Sequence, residues 1–131
     1  MVVDAAAVVD LLMGNEPRAG WVEARLETSG RLVAPHLLDI EVASAFRREA
    51  LLGTVAPEEA RLALSDLAES PILRFPVTRL IERIFELRNS LTTYDAAYVA
   101  LAESLKVPLI TTDERLARST GHAAVILSPP E

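Results

Sequence analysis

Four acidic residues, spread over the whole chain, are of the type that could hold a metal ion: Asp4, Glu41, Asp95 and Asp113. Asp4 directly follows the strand-like run Val2–Val3, and Asp113 follows another such run late in the chain. Ligands of parallel sheets bind beyond the carboxyl ends of the strands, so both aspartates are expected on that rim. Each also fits a helix N-cap, and Asp95, three residues after Thr92, fits a capping box. For each of these three aspartates considered alone, helix capping is the commoner role.

Glu41 is the acid that helix geometry alone singles out. In a helix it shares a face with Leu37, Leu38 and Ala45, in the middle of an apolar arc. Glutamate is almost never buried in such a place without a partner. Asp39 points about 200° away by the same geometry and is expected to meet solvent. Glu41 is therefore predicted to face the core or a cleft.

Carboxylates that converge on one rim need a counter-charge. At an effective dielectric constant near 20, two charges ~4 Å apart repel by about 4 kcal/mol. A whole domain is stable by only about 5–15 kcal/mol, so some acids are protonated or a cation neutralises them. Oxygen ligands favour Mg²⁺ or Mn²⁺ over zinc, and His36 and His122 do not form a zinc-like pair.

Helical and strand-like segments alternate along the chain, without an internal repeat or a low-complexity segment. Strands are predicted at residues 2–3, 32–34, 72–75, 109–111 and 124–127. Helices are predicted at residues 5–13, 17–30, 35–52, from 57 onward, 78–91, 92–105 and 113–119. Pro35 is expected in the first turn of the long third helix, which Gly53 closes. This alternation predicts an α/β fold, with a mainly parallel sheet covered by helices on both faces.

The composition is that of one folded domain, residues 1–131, with 50% hydrophobic residues and a net charge of −6. No apolar run approaches the ~20 residues that cross a membrane, and no secretory signal is present, so no membrane association and a cytoplasmic location are expected. The net negative charge argues against nucleic-acid binding, unless a metal ion neutralises part of that charge. Lys106 is the only lysine among 13 basic residues, and arginine suits local phosphate-binding patches.

Four segments of the chain, taken in order, resemble one known family: Val-Val-Asp4, Pro35-x5-Glu41-x-x-x-Ala45-x-Arg47, Tyr94-Asp95-Ala96-x-Tyr98-x-Ala100-Leu101-Ala102 and Leu109-Ile110-Thr111-x-Asp113-x-x-Leu116. The pattern is similar to the PIN domain, and more narrowly to VapC-type toxins of toxin–antitoxin pairs. The resemblance implies a three-layer α/β/α sandwich and magnesium-dependent cleavage of RNA. It also implies a homodimer that a cognate antitoxin protein inhibits.

The resemblance assigns roles to individual residues. Catalysis and metal binding fall on the four acids, with Asp4 and Asp95 as the first choices for direct ligands. Supporting hydroxyls are expected from Thr111, Thr112 and Ser44. Contacts to RNA or to an antitoxin are expected from Arg47 and Arg115, while Arg48 is interpreted as part of a solvated helix face. Two positions depart from the family pattern, Ala6 in place of Ser or Thr and Ser44 in place of Asn. These departures put the fine positioning of groups in the site in doubt.

Three alternatives compete with this interpretation. A phosphoacceptor receiver domain needs a lysine after a late strand, whereas Lys106 precedes the predicted strand at 109–111. An inactive PIN-like binding module, or a PIN nuclease of RNA processing outside toxin–antitoxin systems, is compatible with the same residues. Apolar surface for a second chain is expected at Trp21, Val22 and residues 62–64. The RNA target cannot be inferred from the sequence.

Overall fold

Five short parallel strands form the centre of the structure. The computed structural model describes residues 1–130. The strands are β1 (Val2–Val3), β2 (Val33–Pro35), β3 (Leu73–Phe75), β4 (Leu109–Ile110) and β5 (Ile126–Leu127). They lie in the order β3-β2-β1-β4-β5, and every neighbouring pair is parallel. The predicted α/β class with a parallel central sheet is confirmed.

Seven helices connect and cover these strands: α1 (Ala5–Met13), α2 (Arg18–Thr28), α3 (Leu37–Leu52), α4 (Pro57–Glu69), α5 (Ile81–Glu86), α6 (Thr93–Leu105) and α7 (Glu114–Ala117). Gly14 and Gly53 end α1 and α3 in the left-handed conformation, with φ of 69° and 80°, which glycine adopts without a Cβ penalty. Pro57 occupies the first turn of α4, where its missing N–H has no helical partner to lose. Across residues 1–130, no helix is both long and apolar enough to cross a membrane.

The order of the strands decides where a site can form. The chain moves outward from β1 through β2 to β3, and it then crosses back to β4 on the other side of β1. Right-handed crossovers therefore place α1 to α4 on one face and α5 and α6 on the other. Packing agrees, because α1 contacts α2 and α3, α3 contacts α4, and α5 contacts α6. The point between β1 and β4 is the switch point at which doubly wound sheets bind their ligands.

Two predicted element boundaries are wrong. Pro35 ends β2, in register with Phe75 of β3, and α3 begins only at Leu37. The N–H of His36 donates to the carbonyl oxygen of Phe75 at 2.9 Å, which extends the sheet pairing beyond Pro35. The helix predicted at 78–91 is a 3₁₀ turn (Thr78–Leu80) followed by the short α5, after which the N–H groups of residues 90 and 91 turn back to the Leu87 carbonyl.

The buried face of α3 can be tested by a pair of substitutions on that helix. Phe46 is 2% exposed, whereas Ile40 is 71% exposed. Phe46→Ala is expected to lower the free energy of unfolding by ~3–5 kcal/mol, because it removes a buried ring and leaves a cavity. Ile40→Ala is expected to change it by less than about 0.5 kcal/mol. Urea denaturation followed by circular dichroism measures both, and equal losses would contradict the described packing.

Candidate active site

Asp4 and Asp113 meet at the switch point because they follow neighbouring strands. The N–H of Asp4 donates to the carbonyl oxygen of Ile110 at 3.2 Å, which aligns the ends of β1 and β4. The buried hydroxyl of Thr111 donates to Asp4 Oδ2 and accepts from the N–H of Asp113 at 3.0 Å. One hydroxyl therefore connects the two acids across adjacent strands.

Asp4 is a helix cap and a buried acid at the same time. Its Oδ1 accepts from the N–H of Ala7 at 2.9 Å, as an N-cap of α1 should, and the residue is only 4% exposed. The pKa of Asp4 is raised to about 7, mainly by burial; its two hydrogen bonds act to lower it, and the charges of Asp95 and Asp113 act to raise it. Capping and a place in an acidic cluster are thus compatible for this residue.

Asp113 has the same double role. Its Oδ1 accepts from the N–H groups of Arg115 at 2.9 Å and Leu116 at 3.5 Å, at the start of α7. Its Oδ2 lies 3.5 Å from Nη2 of Arg115. One oxygen of the carboxylate is therefore used by the backbone, and the other faces the cluster.

Glu41 approaches the cluster from α3. The buried residues of that helix are Leu38, Val42 and Phe46. The sequence suggested that Glu41 lies in the middle of the apolar face, whereas the residue is half-buried on the flank of that face. The Tyr98 hydroxyl, on a side chain 1% exposed, donates to Glu41 Oε1 at 2.6 Å. Burial raises the pKa of Glu41, the Tyr98 bond lowers it, and the charge of Asp95 raises it. The sequence analysis missed Tyr98, although a buried tyrosine hydroxyl one helical turn after Asp95 requires a partner.

Asp95 and Arg115 complete the cluster. Thr92 caps α6 by accepting from the N–H of Asp95 at 3.2 Å, so the predicted cap is present. The Asp95 side chain projects instead toward Arg115, whose Nη2 lies 3.4 Å from Asp95 Oδ2. Burial and then the charge of Asp113 raise the pKa of Asp95, while Arg115 lowers it. Because the same Nη2 reaches Asp113, Arg115 bridges the two carboxylates with a positive charge that the chain itself supplies.

The donor chemistry of the cluster fits a hard divalent cation, although the side chains are not preassembled around one. Four carboxylates from separate elements supply only oxygen ligands, which suits Mg²⁺ or Mn²⁺. Within residues 1–130, however, no three acidic or histidine side chains are arranged so that they could hold an ion. The contacts explain this: both oxygens of Asp4 accept hydrogen bonds, and Arg115 bridges Asp95 and Asp113. An ion held by these oxygens of Asp95 and Asp113 would compete with Arg115.

An open cleft of about 640 Å³ borders the cluster at Glu41, the one acid of the four that lines it. Its lining includes Glu41 and Ser44 of α3 together with Thr112, so two of the three residues predicted to supply supporting hydroxyls line it. The Thr112 hydroxyl is buried and has no hydrogen-bond partner among residues 1–130. Burial acts to raise the pKa of the nearby Asp10 carboxylate, but Arg18 and, to a smaller extent, Thr112 lower it below its ordinary value.

Arg47 and Arg48 are both exposed, as a solvated helix face requires, but only one of them borders the cleft. The described lining of the cleft includes Arg48, which the sequence assigned to a solvated face, and does not include Arg47. Asp39 reaches solvent, as expected, with its side chain 41% exposed, and it also forms a two-pronged ion pair with Arg74 of β3 at 2.8 and 3.2 Å. Asp39 is thus used to join α3 to the sheet and takes no part in the cluster.

Comparison with known proteins decides the family. The PIN domain family model matches residues 1–121. The chain is 49% identical to Ribonuclease VapC1 of Mycobacterium tuberculosis over 121 residues, 92% of this chain and 90% of that protein. It is 42% identical to VapC ribonuclease Mb0985 of Mycobacterium bovis over 123 residues, 94% and 92% of the two chains. This chain belongs to the PIN-domain family, in the VapC group. The family resemblance inferred from the sequence is confirmed.

Solved structures agree with the PIN-domain assignment. PAE2754 from Pyrobaculum aerophilum superposes with a TM-score of 0.66 at 29% identity, covering 95% of this chain and 87% of that one. VapC20 of Mycobacterium tuberculosis, described as a sarcin-ricin loop cleaving toxin, superposes with a TM-score of 0.73 over 95% and 97% of the two chains. At 14% identity, the second match supports the fold alone.

The raised pKa of Asp4 makes the stability of this PIN domain depend on pH. The pKa is about 7 in the folded protein against an ordinary value of 3.8, so between these values the folded state binds the proton more tightly. The free energy of unfolding is therefore expected to fall as pH rises from about 4 to 7, by up to roughly 4 kcal/mol from Asp4. Asp4→Asn should remove most of this decline.

Urea denaturation in EDTA at pH 5 and pH 8 measures the difference. The remaining decline in Asp4→Asn is assigned to Glu41 and Asp95, whose pKa values are also raised. Equal pH dependence in the wild-type protein and in Asp4→Asn would show that Asp4 does not carry the raised pKa.

Proposed function

We propose that this protein is a divalent-metal-dependent endoribonuclease and the toxin of a type II toxin–antitoxin pair. The observation that carries the proposal is the convergence of four carboxylates, from four separate elements, at the switch point of the sheet beside an open cleft. The names of relatives up to 49% identical, Ribonuclease VapC1 among them, support RNA cleavage as the reaction. Its site of action is then the cytoplasm, where the substrate RNA is found.

Each residue of the site has a defined part in this proposal. Asp4 and Asp95 would hold Mg²⁺ or Mn²⁺ directly, and Glu41 and Asp113 directly or through water. A bound ion would supply an activated water and neutralise charge on the phosphate that is cleaved. Thr111 orients Asp4. Side chains beyond the metal ligands would support the site as well: Tyr98 orients Glu41, and Ser44 and Thr112 are supporting residues in the lining of the cleft.

The proposal includes two protein partners, a second copy of this chain and a cognate antitoxin. This part of the proposal is supported by large apolar side chains that a single copy exposes on three helices: Ile40, Leu51, Leu52, Leu62, Ile81 and Phe85. The surface suggested by the sequence is only partly available, because Val22 is fully buried and Leu64 packs against the core. Light scattering of the purified toxin and its co-purification with a co-expressed antitoxin test the two partners separately.

Removal of either proposed metal ligand is expected to abolish the reaction. Asp4→Asn and Asp95→Asn should each lower the rate of Mg²⁺-dependent RNA cleavage by roughly a hundredfold or more, since residues that only support a metal ligand already cost about 10- to 100-fold. Asp66→Asn, on the exposed face of α4, is the matched control and should cleave at the wild-type rate. Sequencing of RNA ends after incubation with total RNA gives the rate and the cleavage position. Full activity of Asp95→Asn would reject the proposed site.

Arg115 and a metal ion are expected to compete for the same carboxylates. In Arg115→Met, the bridge between Asp95 and Asp113 is lost, so the ion no longer has to displace it. The affinity for Mn²⁺ should rise about three- to tenfold, the range of two exposed ion pairs. Electron paramagnetic resonance of free Mn²⁺ measures the affinity without any turnover. Arg118→Met, which removes an equal charge from the end of α7, should change it much less, and equal effects would contradict direct competition.

A further inference from the structure

The cleft beside the acids continues into a second cavity of about 330 Å³. The two cavities share three lining residues, Arg18, Thr112 and Glu114. The first extends along α3 to Arg48, and the second extends past Arg118 to the segment 128–130. Together they form one continuous groove, which we name the arginine groove, and the candidate active site opens onto it at Glu41 and Thr112.

The three arginines of this groove are neutralised to different degrees. Arg18 forms a two-pronged ion pair with Asp10, at 2.8 and 3.3 Å. Arg118 comes within 4.0 Å of Glu114, one helical turn before it. Arg48 reaches only its sequence neighbour Glu49 within the described chain, also at 4.0 Å, and its side chain is 68% exposed. Arg48 and Arg118 are therefore both more available to an external anion than Arg18, and of these two only Arg48 lines the cavity that Glu41 also lines.

The position of Arg48 relative to the acids is set by the helix. Arg48 follows Glu41 by seven residues, which is two turns, so the two side chains leave the same side of α3 about 10 Å apart along its axis. Arg47 is rotated by about 100° and lines neither cavity of the groove, although it is also exposed and carries the same charge. The floor that lines the same cavity as Arg48 and Glu41 includes four small apolar residues, Ala5, Ala6, Val9 and Ala45. This floor leaves room for a ribose or a base.

We propose that the arginine groove holds a single strand of the RNA substrate, and that Arg48 binds a phosphate group beyond the one that is cleaved. The proposal rests on the proposed ribonuclease function. A polyanion near four carboxylates is repelled by them, so its binding requires cations placed outside the cluster along the strand. Arg48 meets this requirement from one side, and its guanidinium can donate two hydrogen bonds to one phosphate.

The test compares Arg48→Met with Arg47→Met in the Asp95→Asn background, which binds RNA without cleaving it under the proposed function. Fluorescence anisotropy of a labelled, mixed-sequence single-stranded oligoribonucleotide is measured in Mg²⁺ at several KCl concentrations. Arg48→Met should weaken binding about three- to tenfold and reduce the slope of log K against log[KCl] by about 0.7, the value for one phosphate contact on a single strand. Arg47→Met should change neither quantity, and Arg48→Lys should restore most of the slope.

Each other outcome overturns the proposal in a distinguishable way. Equal losses in Arg47→Met and Arg48→Met would show a general charge effect and no groove contact, with the ribonuclease function unaffected. Unchanged RNA binding in Arg48→Met, together with weaker capture of a co-expressed antitoxin, would make the groove a protein-binding surface. Failure of the Asp95→Asn parent to bind RNA, with no cleavage by the wild-type protein, would reject the ribonuclease function and this inference together. Both arginines are exposed, so unchanged thermal unfolding midpoints verify the fold of each variant.

Discussion

The hydrogen bonds of the Thr111 hydroxyl are the interaction on which the site depends. This buried group joins the carboxylate that follows β1 to the backbone that follows β4. It can do so only because those strands are neighbours, although 107 residues separate Thr111 from Asp4 along the chain. The crossover from β3 back over the sheet to β4 creates that neighbourhood, and α5 and α6 have to span it. The placement of Asp95 on α6 follows from the same crossover.

Repulsion among the acids is reduced by the N-terminal ends of three helices. Asp4 and Asp113 accept backbone N–H groups at the starts of α1 and α7, and Asp95 lies in the first turn of α6. Helix N-termini stabilise negative charge through these N–H groups and through the helix dipole. Capping and chemistry therefore do not compete as explanations here. The backbone groups that caps satisfy are the same groups that make a cluster of carboxylates tolerable.

The helix ends compensate only part of the repulsion among the acids, and the uncompensated part affects the chemistry of the site. Burial and mutual repulsion still raise the pKa values of Asp4, Glu41 and Asp95. Arg115 supplies one positive charge where two of the carboxylates face each other. In the proposed function, a divalent cation takes the place of Arg115 at these carboxylates. The proposed RNA contact of Arg48 lies outside the acidic cluster, in the arginine groove.

The sequence by itself determined the four acids, the parallel α/β class and most element positions, because these depend on local patterns: strand runs ending in aspartate, caps, and glycines with positive φ. It misplaced Pro35, since pairing with β3 overrides the local preference of proline for a helix start. Only the tertiary structure decided that Tyr98 meets Glu41, that Arg115 bridges Asp95 and Asp113, and that Asp39 is used by Arg74. It also decided that Arg48, and not Arg47, lines the groove. These contacts join residues as many as 57 positions apart, and helix periodicity tells which face a side chain occupies but not which element packs against that face.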